Sequence, residues 1–563
     1  MKRTLIKIVF FLQLIVFCLP AISFSQGSNW LWARSAAGIK EESAKCIATD
    51  QNGNIVVAGQ FSSNTITFGS TTLINAATNG TTDIFVAKYD PSGNVLWAKR
   101  AGGTDNDEVH GIAVANNTGD IYISGWYYGQ TLSFGSISLV CVHAEDAFLA
   151  KYDPAGNITW ARSITGDSYD ESNSVAVDQQ TGNVYITGYG SSTSVDFSPT
   201  VSTGPGIFLA KYGLTGNVLW ARVQDAYSGL YFGGEGDCVT TDSYGYVYLT
   251  GDFKGDTVIF GSYTLVNADT SGKTTDIFIV KYDGNGMVVW AKNPGGKADD
   301  SGAAVRIDAG GSLLLTGTFS SSVVNFGSSM LTNLGAYDDI FIAKYDPAGA
   351  LSWLKGAGGA SADKSLGVTS DASGSVVIAG SFFSPSMTFP DTTLNNSSNG
   401  SWDIFIVKFS SSGNELWTYD VGNVNDDKCN AVTSDNTGNF IFAGEFNSPS
   451  LNFGPATLTD LNPGQANVWV AKLSAVTPVP ENNSEILLSV FPNPFFSEAS
   501  FICRNEMNDA VLVIMDEKGS EVRHINFSGK QALFSRGHLG SGTYFYRIYS
   551  GKHAVAGGKL LID

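Results

Sequence analysis

Apolar and polar residues alternate along most of the chain in runs too short for helices, and the runs recur. SVAVD, NVYITG, DIFVAK and NVLWAK hold five or six residues each, favour β-branched and aromatic side chains, and are bounded by Gly, Asn, Asp or Pro. A period of two over that length predicts β-strands whose two faces meet different surroundings. No long stretch carries the period of about 3.6 residues that marks an amphipathic helix, so the fold class is all-β.

Tryptophan marks the repeat. Trp32, Trp97, Trp160, Trp220, Trp290, Trp353 and Trp417 stand 60 to 70 residues apart. After each comes an acidic loop, then strand A (as in SVAVD), a tight turn and strand B (NVYITG). A longer connection leads to strand C (DIFVAK), and a second tight turn to strand D, which carries the next Trp. Four-stranded units of this length, repeated, predict the blades of a β-propeller. Strand C occurs seven times, the last as NVWVAKL at 467–473 with no strand D after it, while NWLWAR at 29–34 is a strand D without a blade. Pairing these two gives a seven-bladed β-propeller over residues 26–475, in which the N-terminal strand closes the last blade and covers two exposed edges.

The register carries further expectations. Four residues before the end of strand A stand Cys46, Gly111, Ser174, Cys238, Ala304, Gly367 and Ala431, all small, as an axis crowded by seven blades requires. Arg306 interrupts this smallness and is expected to reach into the channel. A Phe follows the Gly of strand B by nine residues in every unit, from Phe68 to Phe453, which reads as packing. Strand C holds one Lys per unit (88, 151, 211, 281, 344, 408 and 472), and strand A ends in Asp in six units, with Asp120 standing in for Ala115 in the other. One Lys–carboxylate pair inside each blade is the expectation.

GGTDNDEVHGIAVANNTGDIYISG followed by DAFLAKYDPAGNITWAR resembles the bacterial β-propeller repeat family of secreted proteins, and the likeness covers residues 29–474. It implies a fold more than a reaction. Residues 1–25 read as an export signal: basic MKRTLIK, an apolar run from Ile8 to Leu19, then Ser23 and Ser25. No other apolar run is long enough to span a bilayer, so no transmembrane segment is expected. After a Pro- and Asn-rich linker at 476–486, residues 487–563 resemble the C-terminal sorting domain of the type IX secretion system of Bacteroidota, a small β-sandwich. Pro492, Asn493 and Pro494 match its opening motif and Gly519 its central turn. Leu539, Gly542 and Tyr544 match its late strand, and Gly558, Lys559 and Leu560 its closing strand. Read without the family, the segment shows about seven alternating strands, starting near Leu487, Ala499, Val511, Val522, Gln531, Thr543 and Lys559. The resemblance implies passage through the type IX machinery and a location at the outer cell surface or in the medium.

The net charge of −19 excludes nucleic acid as a partner and favours cations or basic partners. Five cysteines follow the signal, an odd number at spacings that match no metal motif, so they read as small fillers. A monomer is expected.

Candidate chemistry is sparse. The A–B and C–D turns are short and uniform, whereas the D–A and B–C connections on the opposite face vary, and variable loops on a rigid scaffold are where binding is placed. Aromatic residues outside the repeat, Trp126, Tyr128, Tyr227, Tyr231, Phe232 and Trp402, are the candidate ligand contacts, for glycan or for a surface protein. Every D–A loop carries acid, including Glu171, Glu235 and Asp237. Asp105, Asp107, Glu108, Asp299, Asp300, Asp426 and Asp427 are the candidate metal ligands, for Ca2+ if any ion is bound. Only His110 and His143 lie in the propeller, so a catalytic triad has little to draw on and no catalytic residue is assigned. The expected function is noncatalytic recognition; the alternatives are a glycoside hydrolase or lyase using loop carboxylates, or a structural surface protein.

Overall fold

The computed structural model describes residues 30–198, 201–224, 233–398, 400–460, 464–474, 488–516, 521–550 and 553–563. The export signal and the linker lie outside them, as do Tyr227, Tyr231, Phe232 and Gly519. Every regular element among the described residues is a β-strand, so none of them is a helix able to cross a membrane.

Seven antiparallel blades of four strands follow one another in the order A–B–C–D, and strand D of blade 5 continues into the hairpin Ser386–Thr388 with Thr393–Asn395. In blade 1 these are Glu42–Thr49, Ile55–Phe61, Asp83–Tyr89 and Val95–Ala101. The other A strands are Asp107–Val114, Asp170–Val177, Gly234–Thr241, Asp300–Ile307, Asp363–Ser370 and Asp427–Ser434. Each A strand packs against the A strand of the next blade, and that of blade 7 packs against that of blade 1, which closes the ring. The closing strand is Trp30–Ala36, antiparallel to Asn467–Leu473 with Trp32 opposite Lys472 and Ser35 opposite Trp469. Its anchor is Trp30, buried with its ring 4.8 Å from Phe453 and 5.8 Å from Phe442.

Each B–C connection, read from the sequence as loop, contains a short hairpin, from Thr65–Phe68 with Thr71–Ile74 in blade 1 to Ser450–Phe453 with Ala456–Thr459 in blade 7. The recurring Phe explains it. In all seven blades this ring leaves the hairpin to stack on an aromatic of strand C, with centroids 4.9–5.7 Å apart. The hairpin is thereby held over the blade core.

The described residues of 488–563 belong to a second compact unit, a small β domain whose strands among those residues form one five-stranded sheet. Its strands are Leu488–Phe491, Glu498–Met515, Glu521–Ser535, Gly542–Ser550 and His553–Ile562, five where the sequence suggested seven. The polar stretch before Ala510 reads as a turn, but the chain crosses it with register shifts inside one long strand. The core holds Phe501, Leu512, Ile514, Phe534, Ile548 and Leu560. Asn493 ties the opening motif to the closing strand: its Nδ2 donates to the Lys559 carbonyl (3.0 Å), and its Oδ1 accepts from the Leu561 amide (2.7 Å). Pro492 and Pro494 flank it exposed. Gly542 and Tyr544 pair with Ile562 and Leu560, Phe545 with Lys559, Gly558 with Tyr546, and Leu539 packs against the core.

Candidate functional site: the mouth of the channel

The turn face is framework. Asp50 accepts the amides of Asn52 and Asn54 (both 2.9 Å), which shapes the A–B turn, and its other oxygen lies 3.0 Å from Lys88 Nζ. The same ion pair joins Lys151 to Asp120, Lys344 to Asp308, Lys408 to Asp371 and Lys472 to Asp435. Blades 3 and 4 depart from the expected pattern. Lys211 and Lys281 instead donate to the carbonyls of Gly284 and Pro347 in the next blade (2.8 and 3.1 Å) and lie over Tyr185 and Tyr248. Tyrosine faces take the place of the ion pair there. The tryptophans join blade to blade as well: the indole N–H of Trp32, Trp97, Trp160 and Trp353 donates to the next C–D turn at 3.0–3.2 Å. That turn carries a glycine at positive φ, such as Gly156 (φ 80°), where an added Cβ would come within 2.9 Å of Trp97.

Toward the axis the repeat does something else. Each A strand carries a β-bulge, and the unpaired residue is Lys45, His110, Asn173, Asp237, Ala303, Leu366 or Asn430. The conserved spacing of the strand B glycine is the cause. A Cβ at Gly59, Gly125 or Gly188 would collide with the carbonyl of strand A just before the bulge, so only glycine lets the strand fold over. All seven bulge residues line a central cavity of about 130 Å3, together with the small residues and Arg306. Arg306 thus sits where the sequence placed it.

Two residues before each bulge, nearer the face with the variable connections, stand Ser43, Glu108, Glu171, Glu235, Ser301, Lys364 and Lys428. The carboxylates fall together in blades 2 to 4. Glu171 accepts from Tyr189 Oη at 2.5 Å and meets Glu145, a buried residue at the start of strand C in blade 2. Burial, reinforced by Glu171, pushes the Glu145 carboxyl up to about 9. Burial likewise raises Glu235 and Asp237, and lifts Asp252 to about 7. Burial opposes ionisation of Glu108 too, but its neighbour His110 (3.5 Å) holds it below its ordinary value. Trp126, opposite Glu108 in the sheet, stands edge-on to His110 at 6.5 Å. On the other side Lys428 pairs with Glu445 (3.1 Å), and Lys364 lies 5.9 Å from the Trp402 ring, which also packs on Phe383.

The expected ligand residues therefore separate. Trp126 and, through Lys364, Trp402 belong to the neighbourhood of the mouth; Tyr128 is 45% exposed at the end of strand B. Of the acids proposed for a metal, only Glu108 joins the cluster. Asp107, Asp300 and Asp427 are buried at the first position of strand A, where they accept from loop amides and serine hydroxyls such as Gly103, Ser321 and Ser448. Burial raises Asp107 to about 8 and the other two to about 7. Asp299 and Asp426 accept the amides of Thr275 and Trp402 (both 3.0 Å), and Asp105 accepts from Thr104. Among the described residues no group of three or more His, Cys, Asp or Glu is placed to hold a metal ion. Sequence reasoning missed Glu145, which follows a variable connection and meets Glu171 only across the boundary between blades 2 and 3, and Asp252, which sits inside an ordinary strand B opposite Glu235.

A seven-bladed β-propeller with a charged, aromatic channel mouth is the class of molecule these features define. No family model matches the chain. It is 24% identical over 517 residues, 75% of this chain, to an uncharacterized WD repeat-containing protein of Acanthamoeba polyphaga mimivirus. Over 136 residues, 24% of this chain, it is 27% identical to the regulatory protein FlaEY of Caulobacter vibrioides. The chain spans 36% and 14% of the length of these relatives. Among solved structures it is similar to PorZ, a surface component of the type IX secretion system of Porphyromonas gingivalis (10% identity, TM-score 0.33, covering 92% of this chain and 70% of that one). It is also similar to the Pan2 WD40 domain of Neurospora crassa (8% identity, TM-score 0.35, covering 79% of this chain and 96% of that one).

Proposed function

We propose that the protein is an exported, noncatalytic binding or adhesion protein, which recognises glycan or protein material with the propeller face carrying the D–A and B–C connections. Residues 487–563 act as its type IX sorting domain and deliver it to the cell surface or medium. The observation that carries the reading is the mouth itself. Seven positions related by the repeat hold serine, glutamate or lysine there, beside Trp126, while equivalent positions on the turn face stay nearly constant.

The test is capture of glycans and cell-surface proteins by the secreted chain, compared with Trp126→Ala and Trp402→Ala. Capture without turnover, weakened about tenfold or more by either change, is expected. Undiminished capture by both variants assigns recognition elsewhere. Removal of residues 488–563 is expected to leave the propeller unsecreted, and normal export of that truncation contradicts the sorting role.

A further inference from the structure

We infer that the axial cavity binds a small carboxylate, with its oxygens on the Arg306 guanidinium and the Lys45 ammonium and its short apolar tail against the small residues of the ring. The site is separate from the surface proposed above for recognition. Arg306 is the sign of it. At its register the other blades carry Ala48, Ala113, Ala176, Thr240, Thr369 and Thr433, so the packing repeated around the ring asks for a small residue there and does not account for an arginine. The guanidinium lines the cavity, yet among the described residues it has no hydrogen-bond or ion-pair partner, and neither has the Lys45 ammonium. Donors left unmet inside a cavity are unfavourable, and a carboxylate matches the planar guanidinium fork with two parallel bonds. Blade 1, which supplies Lys45, stands across the ring from blade 5, which supplies Arg306, so an occupant on the axis is approached from both sides.

Charge and size select the occupant. His110, the third basic residue of the wall, is already engaged by Glu108 (3.5 Å) and Asn173 (3.3 Å). Glu108 and Glu445, which feel the Lys45 charge, each have a nearer cation, His110 and Lys428 (3.1 Å). Asp237 is the acid of the wall, and burial raises its carboxyl well above the ordinary range, which keeps it from competing for either cation. A volume of about 130 Å3 is close to the roughly 150 Å3 that holds benzene, so the occupant has about six heavy atoms at most. Cys46, Ala304 and Ala431 leave the wall room for a short apolar tail. A chain of net charge −19 opposes a second negative charge, which favours a monoanion over phosphate.

The experiment titrates the full chain with sodium propionate, its neutral isostere propionamide and sodium phosphate, by calorimetry at one ionic strength. Propionate is expected to bind at least about tenfold tighter than either of the others. Arg306→Thr, which installs the residue that three other blades carry, is expected to weaken propionate by about tenfold or more while the melting temperature of the ligand-free chain stays unchanged. Should that variant unfold, Lys45→Met carries the test, with a weakening of about fivefold expected. Equal affinity for propionate and propionamide, tighter binding of phosphate, or no propionate heat up to about 100 mM overturns the inference. Propionate affinity unchanged by Arg306→Thr, or by Lys45→Met where the first variant unfolds, overturns it as well.

Discussion

The two ends of the channel are made from the same seven repeats and use them in opposite ways. At the turn end, Asp50, Asp371 and Asp435 each shape a turn and hold a strand C lysine, and tryptophans lean on the next blade's glycine. At the mouth, the corresponding residues change from serine at Ser43 and Ser301 to glutamate in blades 2 to 4 and to lysine at Lys364 and Lys428. Where a side chain must fit a neighbouring blade that is nearly its own copy, the same residue returns each time. Where it faces the open axis, the neighbour imposes nothing, and chemistry is free to differ.

The largest effect that breaks this comparison is at the closure. Deleting residues 30–36 removes the buried Trp30 and exposes two sheet edges, so cooperative unfolding of the propeller is expected to disappear; a retained sharp denaturant transition would contradict the closed ring. Next comes the buried ion pair. Lys88→Met strands Asp50 without its cation and is expected to cost about 3–5 kcal/mol. Lys281→Met loses only a carbonyl and tyrosine faces and is expected to cost about 1–2 kcal/mol. Equal costs, measured by denaturant unfolding, would erase the distinction between blades 1 and 4. Gly156→Ala, forced to positive φ against Trp97, is expected to cost about 1–2 kcal/mol.

The smallest effect is in pH. Asp170, Asp300, Asp363 and Asp427 are raised to about 7 by burial, so the folded chain holds more protons than the unfolded one between about pH 4 and 7. Their stabilising contribution is complete below the unfolded value and is lost as pH rises through about 7. Asp50, Asp371 and Asp435 act in the other sense, because their lysine and turn partners outweigh burial, and their contribution is lost as pH falls below about 4. The melting temperature is therefore expected to be higher near pH 5 than near pH 8. A rise toward pH 8 would show that these acids are ionised in the fold.

Much of the scaffold was legible because its causes recur. The Trp spacing, the small residues from Cys46 to Ala431 and the Phe from Phe68 to Phe453 each answer a packing demand posed seven times. The unpaired strands at 29–34 and 467–473 announced the closure for the same reason. The mouth was harder to see. A bulge shifts the period of two by one residue, and the bulge positions share no chemistry, so Lys45, His110 and Asp237 carry no pattern. The strand B glycine, visible seven times, was the available signal, but its meaning lies in a carbonyl of strand A that only the folded sheet brings close. At Asp107, Asp300 and Asp427 what reads as an acidic loop in sequence is a buried cap in the fold.

Hydrogen–deuterium exchange of the secreted chain, with and without the material it captures, tests the assignment of recognition to the mouth most directly. Slowed exchange in the first residues of Asp107–Val114, Asp170–Val177 and Gly234–Thr241, with the turns at 90–94 and 153–157 unchanged, is the predicted result. Protection confined to those turns, or spread over the outer D strands alone, would contradict it.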